Sequence, residues 1–269
     1  MDLSIIIVNY GSGRLAKACV DSIRRSAPQA TTEVIVVDNA SPDDSQELLA
    51  TEVPGVRFIP LEKNLGFARG VNAGIEAARG EFLLILNPDI IVLNAAIDRL
   101  LEFARRHPRA AVLAGQLMNP NGSVQDSCFR FYSPFTILAR RTPLGVLPFG
   151  RRHLQDVLLR DYDRASARQV DWVLGACMLV RRSAMEAVGM MDSRFFLYFE
   201  DMDWCRRFWE RGHEVWYVPE ARFAHYYKRA SAQEAGLSAL FHPITRIHIA
   251  SGFKYFWKYR WAGATPARR

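Results

Sequence analysis

Five short stretches of this 269-residue chain carry side chains suited to chemistry on a charged, phosphate-bearing small molecule. Asp38-Asn39-Ala40-Ser41 follows an apolar run, where a carboxylate could accept the imide N–H of uracil or thymine; a helix cap would explain it as well. Asn64-Leu65-Gly66-Phe67-Ala68-Arg69-Gly70-Val71-Asn72 is a glycine-bearing loop running into a helix, whose backbone N–H groups and Arg69 could face a phosphate. Asn87-Pro88-Asp89 closes the strand-like run Phe-Leu-Leu-Ile-Leu. A carboxylate there is costly unless paired or solvated, and it could hold a divalent cation that bridges a diphosphate. Glu200-Asp201-x-Asp203 opens a helix behind Phe195-Phe196-Leu197-Tyr198-Phe199. Acids suit a helix N-terminus in any case, but a carboxylate flanked by aromatic rings has a raised pKa and can take a proton from a hydroxyl. His225 follows the last strand, and its value depends on whether the fold brings it beside Asp89.

The elements that must position these groups alternate in the first half of the chain. Strands are predicted at Leu3 to Val8, Glu33 to Asp38, Val56 to Leu61 and Phe82 to Leu86. Helices are predicted at Arg14 to Arg25, from Ser41-Pro42, at Phe67 to Ala78 and at Asn94 to Arg106. The strands are continuous apolar runs, the mark of a parallel sheet covered on both faces. After Val112 the pattern changes. Phe129 to Arg152 has three prolines, five arginines and no acid, and reads as an irregular basic excursion. A strand is expected at Trp172 to Val180 and a short helix from Ser183. A helix follows at Glu200 to Arg211, with Trp204 and Phe208 on one face, then a short strand at Val215 to Val218. The last helix, Ile247 to Trp261, would carry Ile249, Phe253, Phe256 and Trp257 on one side and Lys254 and Lys258 on another.

Composition narrows the class. The chain is 49% hydrophobic and 23% charged, which excludes a disordered or collagen-like polymer. Its four cysteines form no C-x-x-C pair, so a zinc ribbon or redox pair is not expected, and they read as thiols of a reducing compartment. No signal peptide or membrane-spanning run is evident. The net charge of +7 is local: residues 222–269 hold nine Lys/Arg against Glu234 alone, while the other 221 residues hold 26 Lys/Arg and 27 acids. A basic tail implies an anionic partner. No nucleic-acid-binding motif accompanies it, so an anionic membrane surface is the partner expected for the tail and the 129–152 excursion, with a solvated basic helix as the plain alternative.

One motif points elsewhere. Gly11-Ser12-Gly13-Arg14-Leu15-Ala16 fits G-x-G-x-x-A between a strand and a helix, with Asp38 ending the next strand, as in a dinucleotide-binding fold. A nicotinamide-dependent oxidoreductase is therefore one alternative, although Asn9-Tyr10 separate the strand from the first glycine. A non-catalytic nucleotide-sugar or lipid-binding module is another.

Taken together, V-D-N-A-S, N-L-G-F-A-R-G-V-N-A-G, L-N-P-D, W-V-L-G-A-C-M-L-V-R-R and F-F-L-Y-F-E-D-M-D-W-C-R-R resemble the family 2 nucleotide-sugar glycosyltransferases. The resemblance runs from Ser4 to about Ser231 and is greatest to bacterial rhamnosyltransferases of cell-envelope glycan synthesis. It implies a GT-A fold, an α/β architecture with a Rossmann-like nucleotide half (1–115), an acceptor half with mixed sheet (116–231) and a basic amphipathic extension (232–269). It implies an inverting transfer from a dTDP-, UDP- or GDP-sugar, with dTDP-rhamnose foremost, to a glycan or polyprenyl-pyrophosphate-linked hydroxyl. The setting would be cytoplasmic, at the inner face of the plasma membrane. Asp201 matches the general base. Asn9, Asp38, Asn64, Arg69, Asn87 and Asp89 match donor-binding positions, with Asn87 in the first slot of the D-x-D motif. Asp89 and His225 match ligands of a divalent cation, Mg²⁺ or Mn²⁺. Trp204 stands where leucine is commoner.

Overall fold

The computed structural model describes residues 1–226 and 243–260. The elements in chain order are β1 (Leu3–Asn9), α1 (Gly13–Ser26), β2 (Thr32–Asp38), α2 (Ser45–Glu52), β3 (Arg57–Pro60), α3 (Phe67–Ala77), β4 (Phe82–Leu86), β5 (Ile90–Val92), α4 (Ala96–Arg106) and β6 (Ala110–Met118). There follow β7 (Cys128–Phe129), α5 (Pro134–Arg141), a 3₁₀ turn (Pro143–Val146), α6 (Pro148–Val157), β8 (Arg168–Gln169), β9 (Trp172–Val173) and β10 (Cys177–Arg181). The described chain ends with α7 (Arg182–Val188), α8 (Glu200–Glu210), β11 (Glu214–His225) and α9 (Pro243–Lys258).

The main sheet runs in the order β3-β2-β1-β4-β10-β6-β11-β5, with β8 on β11; β7 and β9 form a separate pair. Strands β1 to β4 are mutually parallel, and β10 runs antiparallel between β4 and β6. The sheet is therefore mixed, with a parallel nucleotide-type half joined to a mixed half. Side chains of β1 show why. All seven of its residues are buried. Leu3, Ile5 and Ile7 face the core under α1, α2 and α4, while Ile6 and Val8 face the core under α3 and α8.

The structure corrects several local expectations. The 129–152 excursion is helical: Pro134, Pro143 and Pro148 each open a helix, where the missing N–H costs nothing. Ser133 and Thr136 form a reciprocal cap at the first of these. Helix α2 begins at Ser45 rather than Ser41, because Ser41 is bound to Asp38 instead of capping. The strand expected at 172–180 breaks at Leu174-Gly175-Ala176 into β9 and β10. The short strand expected at 215–218 extends to His225, past a register shift between Val218 and Arg222. Helix α9 starts at Pro243, and it turns Ile249, Phe253 and Trp257 outward, 51%, 69% and 58% exposed, while Ser251, Gly252 and Tyr255 pack inward. Its expected end at Trp261 and the boundary at 231/232 lie outside the described residues. The four cysteines are buried free thiols. No helix among the described residues is long and apolar enough to cross a membrane.

Candidate active site

The candidate residues gather around the C-terminal ends of the parallel strands and the break between β9 and β10. Asn9 ends β1 and Asp38 ends β2, opposite one another in parallel register. Asn9 Nδ2 donates to Asp38 Oδ2 (2.8 Å), and Ser41 Oγ donates to the same oxygen (2.6 Å). The Ser41 backbone N–H and Gln46 Nε2 each donate to Asp38 Oδ1 (2.9 Å). Asp38 is 0% exposed and takes four donors, so in this conformation it shapes the loop at 38–46 instead of presenting an oxygen. A nucleobase imide reaches it only if Ser41 or Gln46 gives up its bond. Asn9 Oδ1 is buried beside it, with no hydrogen-bond partner among the described residues.

The glycine turn of Gly11 and Gly13 is spent on the same region. Gly11 N–H donates to Ser41 Oγ and Gly13 N–H to Ser45 Oγ, both at 2.9 Å. A Cβ on Gly13 would lie 2.8 Å from the Ser45 Cα. These glycines serve packing against the start of α2, and their N–H groups are turned to serine hydroxyls, not to a pyrophosphate.

Asn39 ties this loop to the next. Its Nδ2 donates to Asn64 Oδ1 and to the Gly66 carbonyl (both 3.1 Å), and its Oδ1 accepts from Leu65 N–H (2.9 Å). Gly66 is required where it stands: its φ is +84°, and an added Cβ would lie 2.2 Å from the Phe196 carbonyl oxygen. The next residue, Phe67, donates its N–H to that same oxygen at 2.7 Å. The loop before α3 is thereby joined to the aromatic segment before Glu200. Arg69 is exposed on the first turn of α3 and donates to the Ser193 carbonyl (3.3 Å), away from the Asp38 cluster.

Asp89 and His225 meet across the β5–β11 pair. His225 Nε2 lies 3.4 Å from Asp89 Oδ1, and Tyr226 N–H donates to the Asp89 carbonyl (3.0 Å). Gln125, which the sequence does not single out, orients the imidazole. Its Nε2 donates to the His225 carbonyl (2.9 Å) and to Asn119 Oδ1 (2.8 Å), so its Oε1 must be the acceptor that faces His225 Nδ1 at 2.8 Å. Nδ1 then carries its proton, and Nε2 is the ring nitrogen that faces Asp89. One carboxylate and one oriented imidazole suit a divalent cation that completes its shell with substrate phosphates and water. No cluster of three or more His, Cys, Asp or Glu suited to a metal occurs among the described residues. Asn87 precedes this pair; its backbone N–H donates to the Ala176 carbonyl (2.9 Å).

Asp201 sits across the strand break. Its Oδ2 accepts from Gly175 N–H (3.1 Å) and its Oδ1 from Met202 N–H (2.8 Å). Gly175, also missed, is the neighbour of Ala176 and lies against the Phe67 ring. Residues 174–176 thus link Asp201, Asn87 and the α3 loop. The signal was present: a glycine interrupting the apolar run at 172–180 frees its N–H from the sheet ladder. Burial lifts the Asp201 carboxyl from 3.8 to about 6, against the pull of the Gly175 and Met202 N–H donors. Burial, and then the Asp201 charge, push the neighbouring Glu200 well above the usual carboxylate range. Glu200 Oε2 is buried with no hydrogen-bond partner among the described residues. Of this coupled pair Glu200 keeps its proton and Asp201 carries the charge.

The family model described as glycosyl transferase family 2 matches residues 4–189, and that of glycosyl transferase family group 2 matches 124–264. An N-acetylglucosaminyl-diphospho-decaprenol L-rhamnosyltransferase of Mycobacterium tuberculosis is 32% identical over 271 residues, covering 95% of this chain and 86% of that protein. Rhamnosyltransferase WbbL of Escherichia coli is 25% identical over 260 residues, covering 93% and 91%. Among solved structures, S. aureus TarS 1-349 in complex with UDP superposes with a TM-score of 0.58 at 17% identity, covering 85% of this chain and 61% of that one. GalNAc-T7 with UDP, GalNAc and Mn²⁺ superposes with a TM-score of 0.60 at 16% identity, covering 85% and 44%.

Proposed function

This chain belongs to glycosyl transferase family 2 and has the GT-A fold, and from that premise we propose that it is an inverting rhamnosyltransferase using dTDP-rhamnose. The observation that carries the reading is the half-buried Asp201 carboxyl, lifted by burial to about 6 and bonded to Gly175 N–H in the strand break that also meets the Phe67 ring and the Asn87 N–H. A sugar hydroxyl is a poor nucleophile, and a base matched to working pH is worth about 10²–10⁴ in rate. Asp201 takes the hydroxyl proton as the new C–O bond forms on the face opposite the leaving diphosphate. A single carboxylate acting as base suffices for inversion; retention would require a covalent sugar–enzyme intermediate or front-face departure.

On the donor side, the loops held by Asn9, Asp38 and Asn64 surround the nucleoside. Asn87 and Asp89 face the diphosphate, and Arg69 adds positive charge at the start of α3. A Mg²⁺ or Mn²⁺ ion held by Asp89 and His225 would supply electrostatic stabilisation of the departing diphosphate. Gln125 keeps the imidazole in the orientation that role requires. The names of the mycobacterial and E. coli relatives support rhamnose as the sugar, and that of the former supports a lipid-diphosphate-linked sugar as the acceptor.

Such an acceptor lies at a bilayer, and the outer side of α9 suits one. Ile249, Phe253 and Trp257 are exposed there, as are Arg246, Lys254 and Arg260, and α9 with the two residues after it carries no acid. Val146, Leu147 and Phe149, beside Arg151 and Arg152, repeat the combination. We assign both surfaces to the anionic inner face of the plasma membrane, where each cation contributes about 1 kcal/mol. Phe253→Ser/Trp257→Ser is expected to abolish co-sedimentation with phosphatidylglycerol vesicles at low salt; undiminished co-sedimentation would exclude α9 as the contact.

A thermal-shift screen of nucleotide sugars with Mn²⁺ tests the donor. Ligand at 100 times its Kd stabilises the native state by about 2.7 kcal/mol. Selective stabilisation by dTDP-rhamnose is expected, and stabilisation by a UDP- or GDP-sugar instead would replace the assigned donor.

A further inference from the structure

The turn that presents Asp201 is an unfavourable one. Tyr198 and Phe199, neither of them glycine, both adopt left-handed backbone, with φ of +70° and +69°. Such a turn persists only if its surroundings hold it: α3 and the loop before it hold the approach at Met191, Ser193 and Phe196, and α9 holds the turn itself. Ser251 Oγ donates to the Leu197 carbonyl (2.9 Å), and Lys254 Nζ donates to the Arg194 carbonyl (2.8 Å). Gly252 lies against the face of the Phe199 ring, where an added Cβ would sit 3.2 Å from Cζ. That ring also packs on Tyr255 and Phe256.

Lys258 joins the two ends of this segment. Its Nζ donates to Asp192 Oδ2 (2.8 Å), ahead of the turn, and to Asp203 Oδ1 (2.5 Å), behind it. Asp203 is fully buried two residues from Asp201, and its remaining partners are the Tyr259 hydroxyl (2.9 Å) and Arg207 Nε (2.9 Å). Asp192, buried in part, is held well below the usual carboxylate range by its bonds to Arg194 and Lys258, which outweigh burial.

We propose that Lys258 is a positioning residue for the base: by bridging Asp192 and Asp203 it holds the 192–203 segment closed, fixes Asp201 against Gly175, and neutralises the buried charge nearest to it. The inference rests on the reading of Asp201 as the base. The ionisable groups that bear on Glu200–Asp201 are Asp203 and Cys205 on α8 itself and Tyr132 with its partner Arg140 from the α5 side, while Tyr255, Lys258 and Tyr259 from the α9 side bear on Asp203. Losing the Lys258 cation leaves the buried Asp203 carboxylate with less compensation, two residues along α8 from Asp201 and acting directly on Glu200. A like charge disfavours the ionised base, so the acid limb of the rate profile moves to higher pH.

The test uses the full chain with Mn²⁺, dTDP-rhamnose and a synthetic N-acetylglucosaminyl-diphospho-lipid, and compares wild type, Lys258→Met, Lys258→Arg and Asp201→Asn. For Lys258→Met, kcat is expected to fall about tenfold or more, since small misplacements of reacting groups are costly in rate. Its donor KM should stay within about twofold and its acid limb should move up in pH. Lys258→Arg keeps the charge and should return the limb to its wild-type position. Wild-type kcat and limb in Lys258→Met would overturn the proposal, as would a limb that Lys258→Arg fails to restore. If Lys258→Met does not fold, Ser251→Ala decides. A lower kcat at unchanged melting temperature supports the clamp, and an unchanged kcat overturns it. Full turnover in Asp201→Asn removes the base itself, whereas an inactive Asp201→Asn beside an indifferent Lys258→Met removes only the clamp.

Discussion

Replacing Asp201 by Asn should make the protein more stable while destroying its activity, and the gain should depend on pH. Raising a carboxyl from 3.8 to about 6 on folding means that the folded state binds the proton more tightly than the unfolded chain. The group is therefore harmless below 3.8, and its cost grows as pH rises towards 6 and is complete above it. The full cost is about 3 kcal/mol, at roughly 1.4 kcal/mol per pH unit. Asn removes it and gives up part of the bonding to Gly175 and Met202 N–H, a loss of about 1 kcal/mol that does not change with pH. The difference between two pH values isolates ionisation: from pH 4.5 to 7.5 the variant's advantage should grow by about 2 kcal/mol. For a chain of this size that is roughly 4–8 °C in melting temperature. The assay is thermal unfolding of both proteins across that range, paired with transfer rates, where the variant should lose about 10²–10⁴. A stability difference that is flat with pH, or a variant that turns over near the wild-type rate, would refute the assignment of Asp201 as a desolvated base.

Further substitutions probe the other parts of the site. Gly66→Ala forces a side chain onto the Phe196 carbonyl at a positive φ; a loss of about 2–3 kcal/mol in urea unfolding and weaker donor binding by titration are expected. Gln125→Leu deprives His225 of its Nδ1 partner while leaving both first ligands in place. The Mn²⁺ concentration for half-maximal rate should rise about 10–100-fold, with the rate largely recovered at saturating metal. Asp89→Ala removes the carboxylate ligand, and calorimetry should find donor binding no longer strengthened by Mn²⁺; an undiminished metal effect would place the cation elsewhere.

The parallel half of the sheet was legible because its strands are buried on both faces. Runs such as Leu3–Asn9 and Phe82–Leu86 have no polar alternation to misread. The second half was harder because its signals are set by tertiary contacts. Pro134, Pro143 and Pro148 look like breakers, yet each occupies a helix start, the first two behind side-chain caps at Ser133 and Thr142 and the third with no side-chain cap. The break between β9 and β10 exists because Gly175 N–H and the Ala176 carbonyl turn to Asp201 and Asn87. Asp89, Asp201 and His225 stand out in sequence by residue type and context. Gln125 does not, since an uncharged residue 100 positions from its partner leaves no local trace. The outward turn of Ile249, Phe253 and Trp257 was equally hidden: periodicity finds the stripe but does not say which side of the helix the domain takes, and Gly252 against Phe199 decides that.

The most direct test is the anomeric configuration of the product. Full-length protein, Mn²⁺, dTDP-β-L-rhamnose and an N-acetylglucosaminyl-diphospho-lipid should give an α-linked rhamnoside by NMR, the outcome of one displacement with Asp201 as base. A β-linked product would require a covalent intermediate or front-face departure, and would contradict the account at its centre.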